Sequence, residues 1–239
     1  MGWKDYKLVT FGCSFTYGHG LSDCIASDGS HGPVCSKQAW PSILGQLTGM
    51  KVDNVSKPGS SNLMITKAIV DYPKYTKNTV VVVMWSINDR ETIYTTKGER
   101  KLHMLPGFLD NIMPKRFWQN LKNHDGYFPN DADAFKENVR TYYETFHEDW
   151  NATLNQMIRM NFVHAFLKNK GIKSFHVQAD HYDVDPKYFK KLNVRDLQFK
   201  KFNWQNDFNI DEALDEPNPH PGPNSHKFMA TNIQRWFLK

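Results

Sequence analysis

Ser14 follows the short apolar run KLVTF and the pair Gly12-Cys13, so a strand that stops at a glycine delivers a hydroxyl into a turn. Open α/β sheets place their ligands at the carboxyl ends of strands, which makes Ser14 a candidate nucleophile. A serine hydroxyl attacks poorly until a base takes its proton. A neutral histidine does that near pH 7 and can later protonate a leaving alcohol. The tetrahedral oxyanion formed by attack on an acyl carbon also needs preorganised donors. The chemistry to look for around Ser14 is therefore acyl transfer, although strand, glycine and serine also meet in many ordinary loops.

Size and composition bound the alternatives. The chain has 239 residues, 40% of them hydrophobic and 14% aromatic, enough for one large α/β domain with a substantial core. We expect a single domain over 1–239 with an insertion at about 91–130. The formal net charge of +5 favours acidic partners, but no dense Lys/Arg tract forms a phosphate track, so no nucleic-acid partner is expected. No apolar run is long enough to span a bilayer, and the start MGWKDYKLVTF lacks the features of a secretory signal; no membrane partner and a cytoplasmic location are expected. Cys13, Cys24 and Cys35 are an odd set that suggests no disulfide framework. Cys24 and Cys35 could pair, or join His19 and His31 around zinc, but the spacing fits no common zinc pattern; free thiols, no metal and no cofactor are expected.

The elements that must position the site alternate between strand and helix. Lys7 to Phe11 reads as a first strand, followed by a long turn-rich loop. Pro41 suits the first turn of a helix that Gly49 ends. Lys51 to Val55 is a second strand, broken by SKPGSSN, and Ser60 or Ser61 can cap a helix running to Asp71. TVVVVMWS is apolar on both faces, as a central parallel strand requires, and ends at Ser86-Ile87-Asn88-Asp89. Residues 91–130 show no clean period. A helical stretch over 131–168, divided near Asp149, carries Ala134, Phe135, Val139, Tyr142, Tyr143 and Phe146, then Leu154, Met157, Ile158, Phe162, Ala165 and Phe166, as an apolar stripe. KSFHVQAD is a fourth strand and a fifth could lie near Phe199 to Trp204. The last helix starts near Pro223 or Ser225 and directs Phe228, Met229, Ile233 and Phe237 inward. The alternation predicts a parallel sheet with helices on both faces.

Four polar or glycine-rich blocks stand at the strand ends and before the last helix: GCS, PGSSN, IND and NPHPG. Together they resemble the SGNH hydrolases, the GDSL-type lipases and esterases, whose serine, glycine, asparagine and histidine come from four blocks in this order. GCSFTYG resembles the first block with Ser14 as nucleophile. Gly59 resembles the second-block glycine, Asn88 the asparagine of GxND and His220 the final histidine. The resemblance implies a three-layer α/β/α sandwich with a mostly parallel, flavodoxin-like central sheet. It also implies His220 as base and an oxyanion hole made by the backbone N–H groups of Ser14 and Gly59 and the side-chain amide of Asn88. Cys13 stands where the family has Asp, and Ser86 replaces the glycine of GxND. Family members place Asp three residues before the histidine, where this chain has Pro217. Asp215, Glu216 or a backbone carbonyl would then orient His220, Asp215 being preferred, with Asp215→Asn lowering kcat far more than KM.

Each residue also has an ordinary structural role open to it: a capping serine, a turn glycine, a strand-end asparagine, a packed histidine. His226 reads as an orienting or packing residue, and Asp89 and Arg90 as local ion-pair or surface groups. The expected function is a serine esterase that removes a small acyl group, acetyl in the first instance, from a small-molecule or carbohydrate ester. An acyltransferase on the same scaffold and a catalytically impaired carbohydrate-binding module are the alternatives. The sequence does not bear on the oligomeric state.

Overall fold

The computed structural model describes residues 2–26, 32–94, 101–104, 132–178, 196–202, 211–213 and 220–238. Strands β1 (Lys7–Phe11), β2 (Lys51–Asn54), β3 (Thr79–Trp85), β6 (Lys173–Gln178) and β7 (Gln198–Lys201) form one sheet in the order β2-β1-β3-β6-β7. All four pairings are parallel, with Leu8 beside both Val52 and Val80, and Val82 beside Phe175. Two short strands, β4 (Glu91–Tyr94) and β5 (Lys101–Met104), make a separate antiparallel pair. The aperiodic reading of residues 91–130 missed this pair, because four-residue strands give too short an alternation to register. Residues 105–130, and with them most of the expected insertion, lie outside the described residues.

Every residue of β3 is buried, and its side chains divide by the period of two between both faces. Val80, Val82 and Met84 pack with Leu8, Trp40, Leu44, Met229 and Ile233, which brings α2 (Trp40–Thr48) and α6 (Pro223–Phe237) onto one face. Val81, Val83 and Trp85 pack with Val9, Ile65, Ile69, Met160, Val163 and Leu167, which brings α3 (Asn62–Asp71) and α5 (Asp149–Asn169) onto the other. The result is the expected three-layer α/β/α arrangement. A shorter helix, α4 (Ala132–Thr141), runs through a π turn at Tyr142–Phe146 before α5 begins, so the helical stretch is divided close to Asp149.

Two helix faces differ from expectation. In α5 the buried side chains are Ala152, Thr153, Gln156, Met157, Met160, Val163, His164 and Leu167, while Ile158 and Phe162 are exposed. Phe146 is exposed as well. The inward face combines core packing by Met160, Val163 and Leu167 with a polar contact that periodicity ignores: His164 Nδ1 meets Ser174 Oγ of β6 at 3.2 Å. In α6, Met229 and Ile233 are fully buried but Phe228 is largely exposed.

Candidate active site

The chain runs from β1 to β2 on one side and returns to β3 on the other, so the sheet has its topological switch beside β1, where α/β sheets bind ligands. Ser14, Gly59 and Asn88 lie just beyond the carboxyl ends of β1, β2 and β3, three adjacent strands. Ser14 is the first residue of a one-turn helix, α1 (Ser14–Tyr17), that sequence periodicity did not reveal. As a first-turn donor its backbone N–H has no acceptor within the helix. The turn is shaped by Gly12: a Cβ there would stand 2.0 Å from Thr16 Oγ1 and 3.1 Å from the Met84 carbonyl. From β2, Asn54 Nδ2 donates to the Thr16 carbonyl at 2.8 Å and fixes α1 from the other side.

Gly59 adopts φ +75°, a conformation that penalises side chains, and a Cβ at that position would meet nothing within 4 Å. Its turn is tied to β1 through Lys57 N–H to the Gly12 carbonyl at 3.3 Å. Asn88 is buried, and its setting is built by residues whose part was not legible in the motifs. Asn62 clasps the backbone of Ser86, accepting its N–H at 2.7 Å and donating to its carbonyl at 3.1 Å. Gln178 also donates to that carbonyl at 3.2 Å, and Asn62 and Gln178 both aim amide donors at Asn88 Oδ1 from 3.5 Å. Two donors at Oδ1 define which end of the Asn88 amide is the acceptor. Its Nδ2 faces Thr153 Oγ1 of α5 at 3.5 Å.

Asp89 and Arg90 are not merely local groups. Arg90 Nη1 donates to the Ser60 carbonyl at 3.2 Å, which ties the Asn88 loop to the Gly59 loop. Asp89 Oδ1 lies 3.3 Å from His147 Nε2, and Asp149 Oδ1 lies 3.6 Å from the same nitrogen. Among the described residues this trio is the group whose ligand atoms could hold a metal ion. The His147 ring stands between the two carboxylates. Cys24 and Cys35 are free thiols that donate to the Val34 and Asn54 carbonyls, and His31 lies outside the described residues. Burial pushes the Cys35 thiol up to about 11.

His220 reaches this end of the sheet from the far end of the chain. Its ring meets Phe15 edge-on at 5.5 Å and lies flat on His19, centroids 4.6 Å apart and planes within 5°. Both contact residues belong to the segment that starts at Ser14. A short antiparallel clamp holds the backbone: Ala213 N–H donates to the His220 carbonyl at 2.9 Å and Gly222 N–H to the Asp211 carbonyl at 3.0 Å. The Asp211 carboxylate then accepts from Asn224 N–H at 2.8 Å, Ser225 N–H at 2.9 Å and Ser225 Oγ at 2.8 Å, capping α6. Burial alone would push the Asp211 pKa up, but these donors outweigh it and hold the carboxyl below its ordinary value. Asp215, Glu216 and Pro217 lie outside the described residues. His226 is fully buried and accepts the Trp40 N–H through Nδ1 at 3.1 Å, in keeping with a packing role. Burial, reinforced by His220 and opposed by Asp211, pushes it down to about 3.

Comparison with solved structures bears on the fold. An acetyl xylan esterase from the rumen bacterium Butyrivibrio proteoclasticus superposes with TM-score 0.55 at 12% identity, over 97% of this chain and 65% of that one. A carbohydrate esterase whose active site displays divergent catalytic and non-catalytic binding functions gives TM-score 0.52 at 10% identity, over 98% and 69%. A protein assigned to the G-D-S-L lipolytic family from Desulfitobacterium hafniense aligns over 97% and 99% at 13% identity, with TM-score 0.45. The chain has the SGNH-hydrolase fold. No protein-family model and no curated protein matches it by sequence.

Proposed function

We propose that this chain is a serine esterase that removes a small acyl group, acetyl in the first instance, from a polar substrate of carbohydrate type. The observation that carries the reading is the convergence of Ser14, Gly59 and Asn88 on one end of the sheet, with the His220 ring packed on the segment that bears Ser14. In this mechanism His220 takes the Ser14 hydroxyl proton as Oγ bonds to the ester carbon. The oxyanion is held by the N–H groups of Ser14 and Gly59 and by Asn88 Nδ2. Collapse breaks the ester C–O bond, His220 returns the proton to the departing alcohol, and a water activated by the same ring frees the carboxylic acid from Ser14. The face of His19 and the edge-on contact with Phe15 hold the base in place, with Asp215 as the acid. The substrate class rests on the solved neighbours with the same fold, a carbohydrate esterase and an acetyl xylan esterase.

Hydrolysis of 4-nitrophenyl acetate tests the reading. The wild-type protein is expected to release nitrophenol, and Ser14→Ala to fall to the level of buffer. Equal rates from the two proteins would overturn the assignment.

A further inference from the structure

A cavity of about 310 Å³ opens beside the Gly59 turn, at the small end of the ~300–1,000 Å³ usual for ligand sites. One wall is Met64, Lys67, Ala68 and Asp71 of α3 with Ser60 of the preceding turn; the opposite wall is Phe11, Gly12, Val55 and Lys57, and Tyr94 of β4 completes it. Because β2 is the edge strand, the cavity lies along the rim of the sheet. Its Gly12 and Ser60 end adjoins the Ser14 and Gly59 segments directly.

The charges in this space are unequal. Lys67 is ion-paired to Asp71 one turn along α3, so these two cancel. Lys57 is exposed, and among the described residues its ammonium group has neither a hydrogen bond nor an ion pair. Its backbone N–H is bonded to the Gly12 carbonyl, so among the described lining residues the uncompensated cation springs from the end of the cavity that Gly12 forms. The remaining lining mixes polar and apolar groups, Gly12 and Ser60 with Phe11, Val55, Met64, Ile65, Ala68 and Tyr94, as a sugar with its hydroxyls and C–H face requires.

We infer that this cavity is the subsite for the alcohol half of the substrate, and that the substrate is an acyl ester of an acidic monosaccharide whose anionic group pairs with Lys57. The inference rests on the esterase reading above and adds a substrate class to it. Its test is the ratio of kcat/KM for a matched pair, O-acetyl-glucuronic acid and O-acetyl-glucose, with O-acetyl-glucose 6-phosphate as a third arm. Wild type is expected to prefer the carboxylate over the neutral sugar by about three- to tenfold, the gain available from a partly exposed charge pair. Lys57→Gln should bring the ratio to about one, Lys57→Glu should invert it, and Lys57→Arg should restore it. A matching gain with the phosphate would support the subsite and assign it to charge rather than carboxylate shape. A wild-type ratio of one, or a preference that survives in Lys57→Gln, overturns the inference. Binding of free glucuronate and glucose to Ser14→Ala separates the two claims. Tighter binding of glucuronate without turnover by the wild type would contradict the esterase reading alone, whereas equal binding would contradict the subsite.

Discussion

The flat stack of His220 on His19 bears on how the proposed base is held when Pro217 occupies the position at which the SGNH pattern has an aspartate. A ring packed face-on by one neighbour and edge-on by another has little rotational freedom, and small errors in placing a catalytic group cost large factors in rate. His19→Phe keeps an aromatic face under His220 and is expected to hold kcat within about threefold. His19→Ala removes it and should lower kcat about ten- to a hundredfold with KM little changed. Steady-state kinetics of the two variants checks this, and a drop shared equally by Phe and Ala would mean that the stack does not position the base. His19 carries no motif of its own; only the fold brings residue 220 over residue 19.

At the scale of elements, the site depends on contacts between segments distant in sequence. Asp211 caps α6 across a loop and so anchors the clamp that carries His220. Asp211→Ala should cost about 1–2 kcal/mol, the range for a lost helix cap, and Asp211→Asn less. The urea midpoint reads this directly, and an unshifted midpoint would contradict the anchoring role. The same distinction explains what the sequence disclosed. β3, the capped start of α3, the turn at Gly59 and the break at Gly12 were legible because their signals are local: a continuous apolar run, a serine before a helix, a glycine in a turn. Asn62, Gln178, Arg90 and Asn54 were not, since each acts on the backbone or amide of another element. The inner face of α5 was misread for a related reason. Gln156 and His164 point inward while Ile158 and Phe162 face out, so hydrophobicity alone assigns the wrong stripe.

The whole molecule encloses imidazoles that its stability depends on keeping neutral. Burial, assisted by His164, pushes His176 down to about 3; burial does the same to His226, and lowers His164 as well. Their folded-state values lie below the ordinary ~6.5, so the unfolded chain binds protons that the folded chain refuses. Their stabilisation is complete above about pH 6.5 and is lost as pH falls, for His176 and His226 down toward 3, at about 1.4 kcal/mol per unit for each of those two rings. Glu91, raised by burial against the pull of Arg159, acts in the opposite direction, but one carboxylate does not offset three rings. Tm is therefore expected to fall between pH 7 and pH 5, and His226→Asn, which keeps an acceptor for Trp40 N–H, should flatten the curve. A Tm independent of pH over that window would contradict this account. The central claim is that sheet, turns and final helix together make Ser14 a nucleophile, and the most direct measurement is intact-protein mass after exposure to a fluorophosphonate. The account predicts one adduct, located on the peptide containing Ser14 and absent from Ser14→Ala; no adduct, or one that persists in that variant, would contradict it.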